Sequence, residues 1–197
     1  MIRHFLAAAF IAGAVPAGAT LAEPADQAEA GMIGPMVGAM APEVSVTTSA
    51  NETVPLLSLA GEHGVAVVFV RSLDWCPYCK KQAMDLEAAK APLEEAGWPL
   101  VLVSYDPVET QAEFAGDKGL TYAIVSDQGS DAIRAFGLLN DEAKEGSRFY
   151  GIPHPAIVFV RTDGTVGAVL REEGYKARPP VDVVTETATL LNEAYGY

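Results

Sequence analysis

A continuous apolar run at residues 65–70 (VAVVFV) ends six residues before the first of two cysteines, Cys76 and Cys79, and this arrangement limits the fold more than any other feature. A β-branched and aromatic run without polar alternation is typical of a strand buried on both faces. Such a strand needs a layer of structure on each side of its sheet. The run therefore predicts an α/β fold whose central sheet carries helices on both faces.

The rest of the chain alternates strand and helix patterns. Further strands are predicted at 44–48 (an edge strand), 100–104, 122–125, 156–160 and 165–170. Helices are predicted from Pro77 as far as Pro92, at 108–115, at 130–136, and after Pro179 and Pro180. The sequence Thr162-Asp163-Gly164 indicates a hairpin turn between the last two strands.

Composition excludes several classes of protein. A chain of 197 residues fits one domain. Its 50% apolar and 20% charged content does not suit a disordered protein, and no apolar run is long enough for a multi-span membrane protein. The formal net charge is −13, and the sequence shows no basic patch of the kind that nucleic-acid binding needs. Nucleic acid is therefore not an expected partner.

The first 22 residues are typical of an export signal. Arg3 and His4 form a short basic region, residues 5–15 form an apolar region, and residues 20–22 offer a small-residue cleavage site before Glu23. The apolar region is too short to cross about 30 Å of hydrocarbon. We therefore predict a signal peptide at 1–22, a flexible leader at 23–36, a folded domain at 37–197, and a periplasmic or secreted protein.

The cysteine pair lies where the buried strand leads into a helix. Pro77 is favoured at the first helical position, which places Cys76 at the N-cap. The free N–H groups and the helix dipole there stabilise a thiolate, with Lys80 and Lys81 as helpers. We therefore predict thiol–disulfide chemistry in which Cys76 is the exposed, attacking thiol and the more shielded Cys79 is the resolving thiol.

Two other roles for the pair fit the sequence less well. A zinc site needs four ligands, and His63 and His154 are the only other Cys or His residues after signal removal. A purely structural disulfide between residues three apart closes too short a loop to stabilise much. We therefore predict a redox-active pair and no metal.

Three segments carry a family resemblance. The run at 65–70, the motif WCPYCKKQ at 75–82 and the turn at Asp163 and Gly164 resemble a thioredoxin fold, with a central mixed sheet and helices on both faces. The sequence VSYDPVETQAEFAGDKGLTYAIVSDQGSDAIRAFGL is similar to the redoxin branch that holds the AhpC/TSA peroxiredoxins and the TlpA-like thiol reductases. VGAMAPEVSV and YGIPHPAIVFVRTDG fall in the family's order, so the match runs from residue 37 to the C-terminus.

The resemblance implies a cis-proline loop beside the cysteines. The family places this proline just before the fourth core strand, which selects Pro155, with Pro153 as the alternative. A cis bond there would leave backbone groups free to pair with a substrate chain. His154 would then face the disulfide and influence its chemistry, although a solvated loop histidine is equally consistent with the sequence.

The peroxidase branch of the family uses a PxxxTxxC motif and an arginine. With Cys79 in the peroxidatic position, Cys76 stands where threonine belongs and Ser72 where proline belongs. The place of the arginine holds Pro155. By this comparison the groups that polarise a peroxide are missing.

Arg71 or Arg148 could replace the missing arginine. Thioredoxin-type exchange instead needs only the CxxC, the tryptophan before it (Trp75) and the cis proline. The buried acid that thioredoxins often carry is replaced by Val70, and Asp74 is the nearby acid, expected to be exposed.

We therefore predict a thiol–disulfide oxidoreductase in which Cys76 attacks, a mixed disulfide forms and Cys79 resolves it. The alternative is a thiol-dependent peroxidase that uses the same pair, and a lower alternative is a Cu(I) carrier with Cys76, Cys79 and His154 as ligands. No metal or organic cofactor is predicted. The expected partners are thiol or disulfide proteins, small thiols and a redox protein that donates or accepts electrons, with peroxide as the alternative substrate. No stable membrane insertion is expected after signal removal.

Overall fold

The computed structural model describes residues 33–197. The predicted signal peptide and residues 23–32 of the predicted leader lie outside this range. Of the leader's last residues, Gly34 donates its N–H to the Gly137 carbonyl at 3.0 Å, and Met36 accepts from the Ala39 N–H at 3.1 Å. Within the described range, no helix combines the length and the apolar character needed to cross a membrane.

Seven strands and five α-helices follow one another along the described residues. The strands are β1 (Ser45–Thr47), β2 (Thr53–Pro55), β3 (Gly64–Phe69), β4 (Leu100–Ser104), β5 (Ala123–Ser126), β6 (Ala156–Arg161) and β7 (Val166–Leu170). The helices are α1 (Pro77–Asp85), α2 (Glu87–Glu95), α3 (Val108–Lys118), α4 (Asp131–Ala135) and α5 (Val181–Tyr195), with a short 3-10 turn at Leu56–Leu59. Most predicted elements are confirmed to within a few residues.

The strands form one mixed sheet in the order β2-β1-β5-β4-β3-β6-β7. The central strand β3 runs parallel to β4 and antiparallel to β6, and all six of its residues are buried. The strand predicted at 44–48 is present as β1, but its predicted place at the edge of the sheet is wrong, because β1 pairs with β2 on one side and with β5 on the other. Its alternating pattern comes from one buried residue, Val46, between two more exposed neighbours.

Each face of the sheet carries its own apolar cluster. Along β3 the side chains alternate, so that Ala66 and Val68 lie in one cluster while Val65 and Val67 lie in the other. The first cluster includes buried residues of α1, α2 and α5, and the second includes Ala132 and Ile133 of α4. The predicted layered arrangement with helices on both faces is therefore confirmed.

The helix that follows the cysteines bends earlier than Pro92. The bend lies at Leu86, where α1 ends and α2 begins, and Pro92 lies inside α2. Proline in a helix removes one backbone hydrogen bond, but Ala89 and Leu93 on the buried side of α2 are fully excluded from solvent. Burial of this face maintains the helix through the proline, so the predicted end at Pro92 is wrong.

Two parallel strands determine where the chemistry lies. Because β3 and β4 are parallel neighbours, their carboxyl ends meet at the same edge of the sheet. The chain leaves β3 through residues 70–76 into α1, and leaves β4 through Tyr105 and Asp106. These two loops therefore lie side by side.

Candidate active site

The cysteine pair occupies the N-terminus of α1. Cys76 is the N-cap residue in an extended conformation (φ −93°, ψ 104°), and Pro77 is the first helical residue, exposed to solvent. The Cys79 N–H donates to Cys76 Sγ at 3.4 Å. The two cysteines form a disulfide with their Cα atoms 5.3 Å apart. The predicted helix start and cap are thus present.

Neither sulfur is open to solvent in this disulfide-bonded form. Cys76 is 1% exposed and Cys79 is 0% exposed. The expectation that Cys76 is exposed is therefore wrong. Cys76 is instead part of the apolar cluster on the α1 face of the sheet. Residues 171–180, before α5, contact the next turn, where Tyr175 meets Tyr78 (edge to face, ring centres 5.8 Å apart) and Arg178 contacts Cys79.

The side chain of Arg178 contacts the disulfide directly. Its Nη2 donates to Cys79 Sγ at 3.5 Å, and its Nε donates to Gln82 Oε1 at 2.6 Å. Burial, and then the neighbouring charge of Arg71, lower the pKa of Arg178 to about 10. Arg178 therefore stays protonated at neutral pH and carries its positive charge beside Cys79.

Arg71 lies between two aromatic rings at the same site. Its guanidinium carbon is 4.5 Å from the ring centre of Tyr175 and 5.0 Å from that of Trp75. Its Nε is buried and has no hydrogen-bond partner within residues 33–197. Burial lowers the pKa of Arg71 from its ordinary value. Cation–π contacts therefore orient this arginine beside the active-site loop.

Trp75 is anchored from the opposite side. Its Nε1 donates to the Tyr105 hydroxyl at 3.0 Å, and that hydroxyl donates to the Arg148 carbonyl at 3.2 Å. The Phe149 ring meets the indole edge to face at 4.7 Å between ring centres. A pocket of about 300 Å³ opens here, lined by Asp74, Trp75, Tyr105, Asp106, Pro107 and Arg148. Trp75 thus links the cysteine loop to the segment before β6.

Asp106 holds the loop that precedes the cysteines. Its side chain is buried and accepts from Ser72 Oγ at 2.7 Å, from the Leu73 N–H at 2.6 Å and from Ser104 Oγ at 2.7 Å. Asp74 is exposed, as expected. Ser72, which stands where the family motif has proline, is therefore part of a buried hydrogen-bond network that orients the loop.

The predicted cis proline is wrong. Every peptide bond within residues 33–197 is trans, including those before Pro155 and Pro153. The segment pairs with the chain after α4: the His154 N–H donates to the Leu138 carbonyl at 2.7 Å, and Ile152 accepts from the Asn140 N–H at 2.9 Å. This extended pairing leads directly into β6.

His154 is the residue expected from the sequence to face the disulfide. No hydrogen bond joins its ring to either sulfur in the described part of the chain. Burial, and then the positive charge of Arg171, lower the pKa of His154 from its ordinary value, so its ring is neutral at pH 7. The described residues bring together no three His, Cys, Asp or Glu side chains that could hold a metal ion. The Cu(I) alternative, which needs Cys76, Cys79 and His154 together, therefore has no ligand set here.

Sequence reasoning missed Arg178 and Asp106. Arg178 is 99 residues after Cys79, and no local pattern connects the two. Asp106 did carry a usable signal, because it follows β4 at the edge of the sheet where the cysteine loop leaves the parallel strand β3. Polar residues at the carboxyl ends of adjacent parallel strands are favoured site residues.

Comparisons with known proteins identify a matching family and similar folds. The model of the AhpC/TSA family matches residues 37–169. Peroxiredoxin Bcp of Escherichia coli K12 is 25% identical over 147 residues, which is 75% of this chain and 91% of that protein.

Solved structures confirm the predicted thioredoxin-like fold. Peroxidoxin BcpB from Mycobacterium tuberculosis is similar with a TM-score of 0.66 at 20% identity, over 82% of this chain and 98% of that one. A peroxiredoxin-like protein from Aquifex aeolicus gives a TM-score of 0.69 at 23% identity, over 81% and 90% of the two chains.

Proposed function

The chain belongs to the AhpC/TSA family, and on that premise we propose that it is a thiol-dependent peroxidase in which Cys79 reacts with the peroxide. The observation that carries the proposal is the contact between Arg178 Nη2 and Cys79 Sγ. The sequence argument against a peroxidase was the lack of the PxxxTxxC motif and of an arginine at the family's position. Arg178 supplies a guanidinium at the reacting sulfur from a different place in the chain.

The arrangement supports a complete two-electron cycle. A cation beside a cysteine sulfur stabilises its thiolate, which is the nucleophile. The Cys79 thiolate attacks one peroxide oxygen, the O–O bond breaks, the alcohol or water leaves with a proton, and Cys79 becomes a sulfenic acid. The Cys76 thiol then attacks the Cys79 sulfur, releases water and forms the disulfide. An external thiol reductant returns the two electrons.

The spacing of the two cysteines suits the second step. Their Cα atoms are 5.3 Å apart and both lie in the first turn of α1 or at its cap. The sulfenic acid on Cys79 can therefore meet the Cys76 sulfur without unfolding of the helix. This supports roles opposite to those expected from the sequence, with Cys79 oxidised first by peroxide and Cys76 as the partner that closes the disulfide.

Variants of Arg178 test the proposal. We expect Arg178→Gln to slow oxidation of the reduced protein by hydrogen peroxide roughly 100-fold, the size of effect seen when one stabilising donor is removed from a reaction centre. Arg178→Lys keeps the charge and should recover part of the rate. The readout is stopped-flow fluorescence of Trp75, with loss of free thiols as a second signal.

Arg148→Gln is the matched control. Arg148 lines the pocket on the Trp75 side, and its guanidinium lies 4.5 Å from the Phe149 ring centre. Arg148 was a candidate arginine from the sequence, but within residues 33–197 it makes no hydrogen bond to Cys76 or Cys79, so its loss should leave the peroxide rate nearly unchanged. In a Cys76→Ser variant, one equivalent of peroxide should leave a sulfenic acid on Cys79 that a dimedone label captures. Equal rates for Arg178→Gln and the wild type would overturn the assignment.

Thiol–disulfide exchange through Cys76 is the second candidate. The N-cap position of Cys76, with Pro77 following and the Cys79 N–H donating to its sulfur, favours it. The two candidates separate in one comparison of the reduced protein with peroxide and with a disulfide substrate. Fast disulfide exchange with only a slow peroxide reaction would select exchange instead of the peroxidase.

We also propose that the protein works outside the cytoplasm. The export signal predicted at residues 1–22 supports this, and an oxidising compartment lets disulfides persist. Expression of the full chain followed by intact-mass measurement of the exported fraction tests it. A mature N-terminus at Glu23 is the expected result, and retention of the whole chain in the cytoplasm would contradict the proposal.

A further inference from the structure

A groove runs along α1, and Arg178, which contacts Cys79, is one of its lining residues. Its volume is about 240 Å³, and it is closed on the other side by the segment that leads into α5. The lining residues are Tyr78, Lys81, Gln82, Asp85, Leu86, Lys176, Arg178, Pro179, Pro180 and Val181. Its size suits a small molecule more than a folded protein partner.

The groove carries an excess of positive charge. Lys81 Nζ is 2.6 Å from Asp85 Oδ2, so those two charges compensate each other. Lys176 and Arg178 have no carboxylate within 4.0 Å in residues 33–197. Two uncompensated cations therefore line the groove, although the whole chain has a formal net charge of −13.

Arg178 connects the groove to the disulfide. It lines the groove, and its Nη2 also contacts Cys79 Sγ at 3.5 Å. Its bond to Gln82 Oε1 holds the guanidinium in this position. Because both sulfurs are buried, a reductant must displace the side chains around them. Tyr78 and Tyr175, which are 37% and 45% exposed and touch edge to face, are the side chains closest to solvent there.

We propose that this groove binds the reductant, and that the reductant is a small thiol that carries a carboxylate. The inference rests on the proposed function, because a thiol-dependent peroxidase needs an external thiol to reduce its disulfide after each cycle. The carboxylate pairs with Lys176, and the positive charge of Arg178 adds to the attraction. The occupant is thus defined by two chemical features, an anionic group and a free thiol.

The reduction steps balance with two thiols. The first thiolate attacks Cys76 Sγ, the bond between Cys76 and Cys79 breaks, and Cys79 leaves as a thiolate beside Arg178. A better-stabilised leaving thiolate departs faster, so attack on Cys76 is favoured over attack on Cys79. A second thiolate attacks the reductant's sulfur in the mixed disulfide. This step forms the disulfide of the reductant and releases Cys76 as a thiolate, which then takes up a proton.

Three small thiols of different charge test the inference. Oxidised full-chain protein is mixed with 3-mercaptopropionate (anionic), 2-mercaptoethanol (neutral) or cysteamine (cationic), and Trp75 fluorescence follows reduction. Rates are compared per thiolate, corrected for the basicity of each thiol. We expect mercaptopropionate to react roughly two- to fivefold faster than mercaptoethanol, as for one partly exposed ion pair, and cysteamine to be slowest. The net charge of the chain alone would produce the opposite order.

A pair of charge-reversal variants assigns the preference to the groove. Lys176→Glu should lower the mercaptopropionate rate per thiolate to that of mercaptoethanol or below it, because repulsion replaces attraction. Lys118→Glu is the matched control, because Lys118 is exposed in the last turn of α3, does not line the groove and changes the net charge equally. Equal rates per thiolate for all three thiols, or an equal effect of both variants, would overturn the inference. The peroxide step is measured separately on reduced protein, so failure here leaves that result unaffected.

Discussion

At the scale of single residues, the site depends on a few polar side chains with several partners each. Asp106 accepts three hydrogen bonds, and two of them come from Ser72 and Leu73 in the loop that leads to Cys76. Ser72 Oγ in turn accepts from the Asp74 N–H at 3.0 Å and from the Trp75 N–H at 3.3 Å. One buried carboxylate thereby orients the whole loop from Ser72 to Trp75, which in turn sets the start of α1.

Asp106→Ala should destabilise the protein by about 1–3 kcal/mol, because the Leu73 N–H is left buried without a partner. Asp106→Asn keeps one acceptor oxygen and should lose less. Urea unfolding measures the free energy, and the Trp75 emission spectrum of the folded variant reports on the loop. A variant Asp106→Ala with wild-type stability and wild-type emission would show that the network does not orient the loop.

At the scale of elements, the short helix α4 is capped by a side chain that precedes it in the chain. The five-residue helix α4 receives its cap from Asp127, whose Oδ1 accepts from the Ala132 N–H at 3.1 Å and whose Oδ2 accepts from the Ile133 N–H at 2.8 Å. Burial raises the pKa of Asp127, although these backbone N–H groups act in the opposite direction. The cap thus combines two hydrogen bonds with a cost for burying the charge.

Removal of this cap should be measurable. We expect Asp127→Ala to lower the free energy of unfolding by about 0.5–2 kcal/mol, and Asp127→Asn to lower it less, because the amide oxygen still accepts. Since the folded pKa is raised, ionisation costs more in the folded state. The free energy of unfolding of the wild type, relative to that of Asp127→Asn, should therefore decrease as pH rises from below about 4 through the folded pKa of Asp127. Urea unfolding of both proteins across this range checks the sign; an increase would contradict it.

At the scale of the whole molecule, two apolar clusters on opposite faces of the sheet stabilise the fold, and the disulfide contributes little. The disulfide joins residues three apart, so it constrains the unfolded chain weakly. The clusters contain most of the buried residues of β3, β4 and β6. The fold therefore tolerates the repeated opening and closing of the disulfide that a redox cycle requires.

Reduction should lower the free energy of unfolding by about 2 kcal/mol or less. Urea unfolding with and without a phosphine reductant measures the difference, and the Cys76→Ser/Cys79→Ser double variant is the control that cannot form the bond. A reduced protein that unfolds at low urea, or a loss of more than about 4 kcal/mol, would mean that the disulfide is a structural requirement.

Some features of this protein could be predicted from the sequence because they depend on near neighbours. The buried strand β3 follows from the unbroken apolar run, and the start of α1 follows from Pro77 after Cys76. The turn at Gly164 follows from the Asp163-Gly164 pair, since Gly164 has a positive φ of 84°, which glycine adopts without strain. In each case the deciding sequence pattern lies within a few residues along the chain.

Only the tertiary structure decided what surrounds the cysteines. The burial of Cys76, the trans bond before Pro155 and the contact of Arg178 with Cys79 all contradict or extend the sequence prediction. The burial of Cys76 comes from the apolar cluster on one face of the sheet, and the contact of Arg178 comes from the segment before α5, which is far from α1 in the chain. Such contacts depend on how complete elements pack, and neither periodicity nor spacing within one segment encodes them.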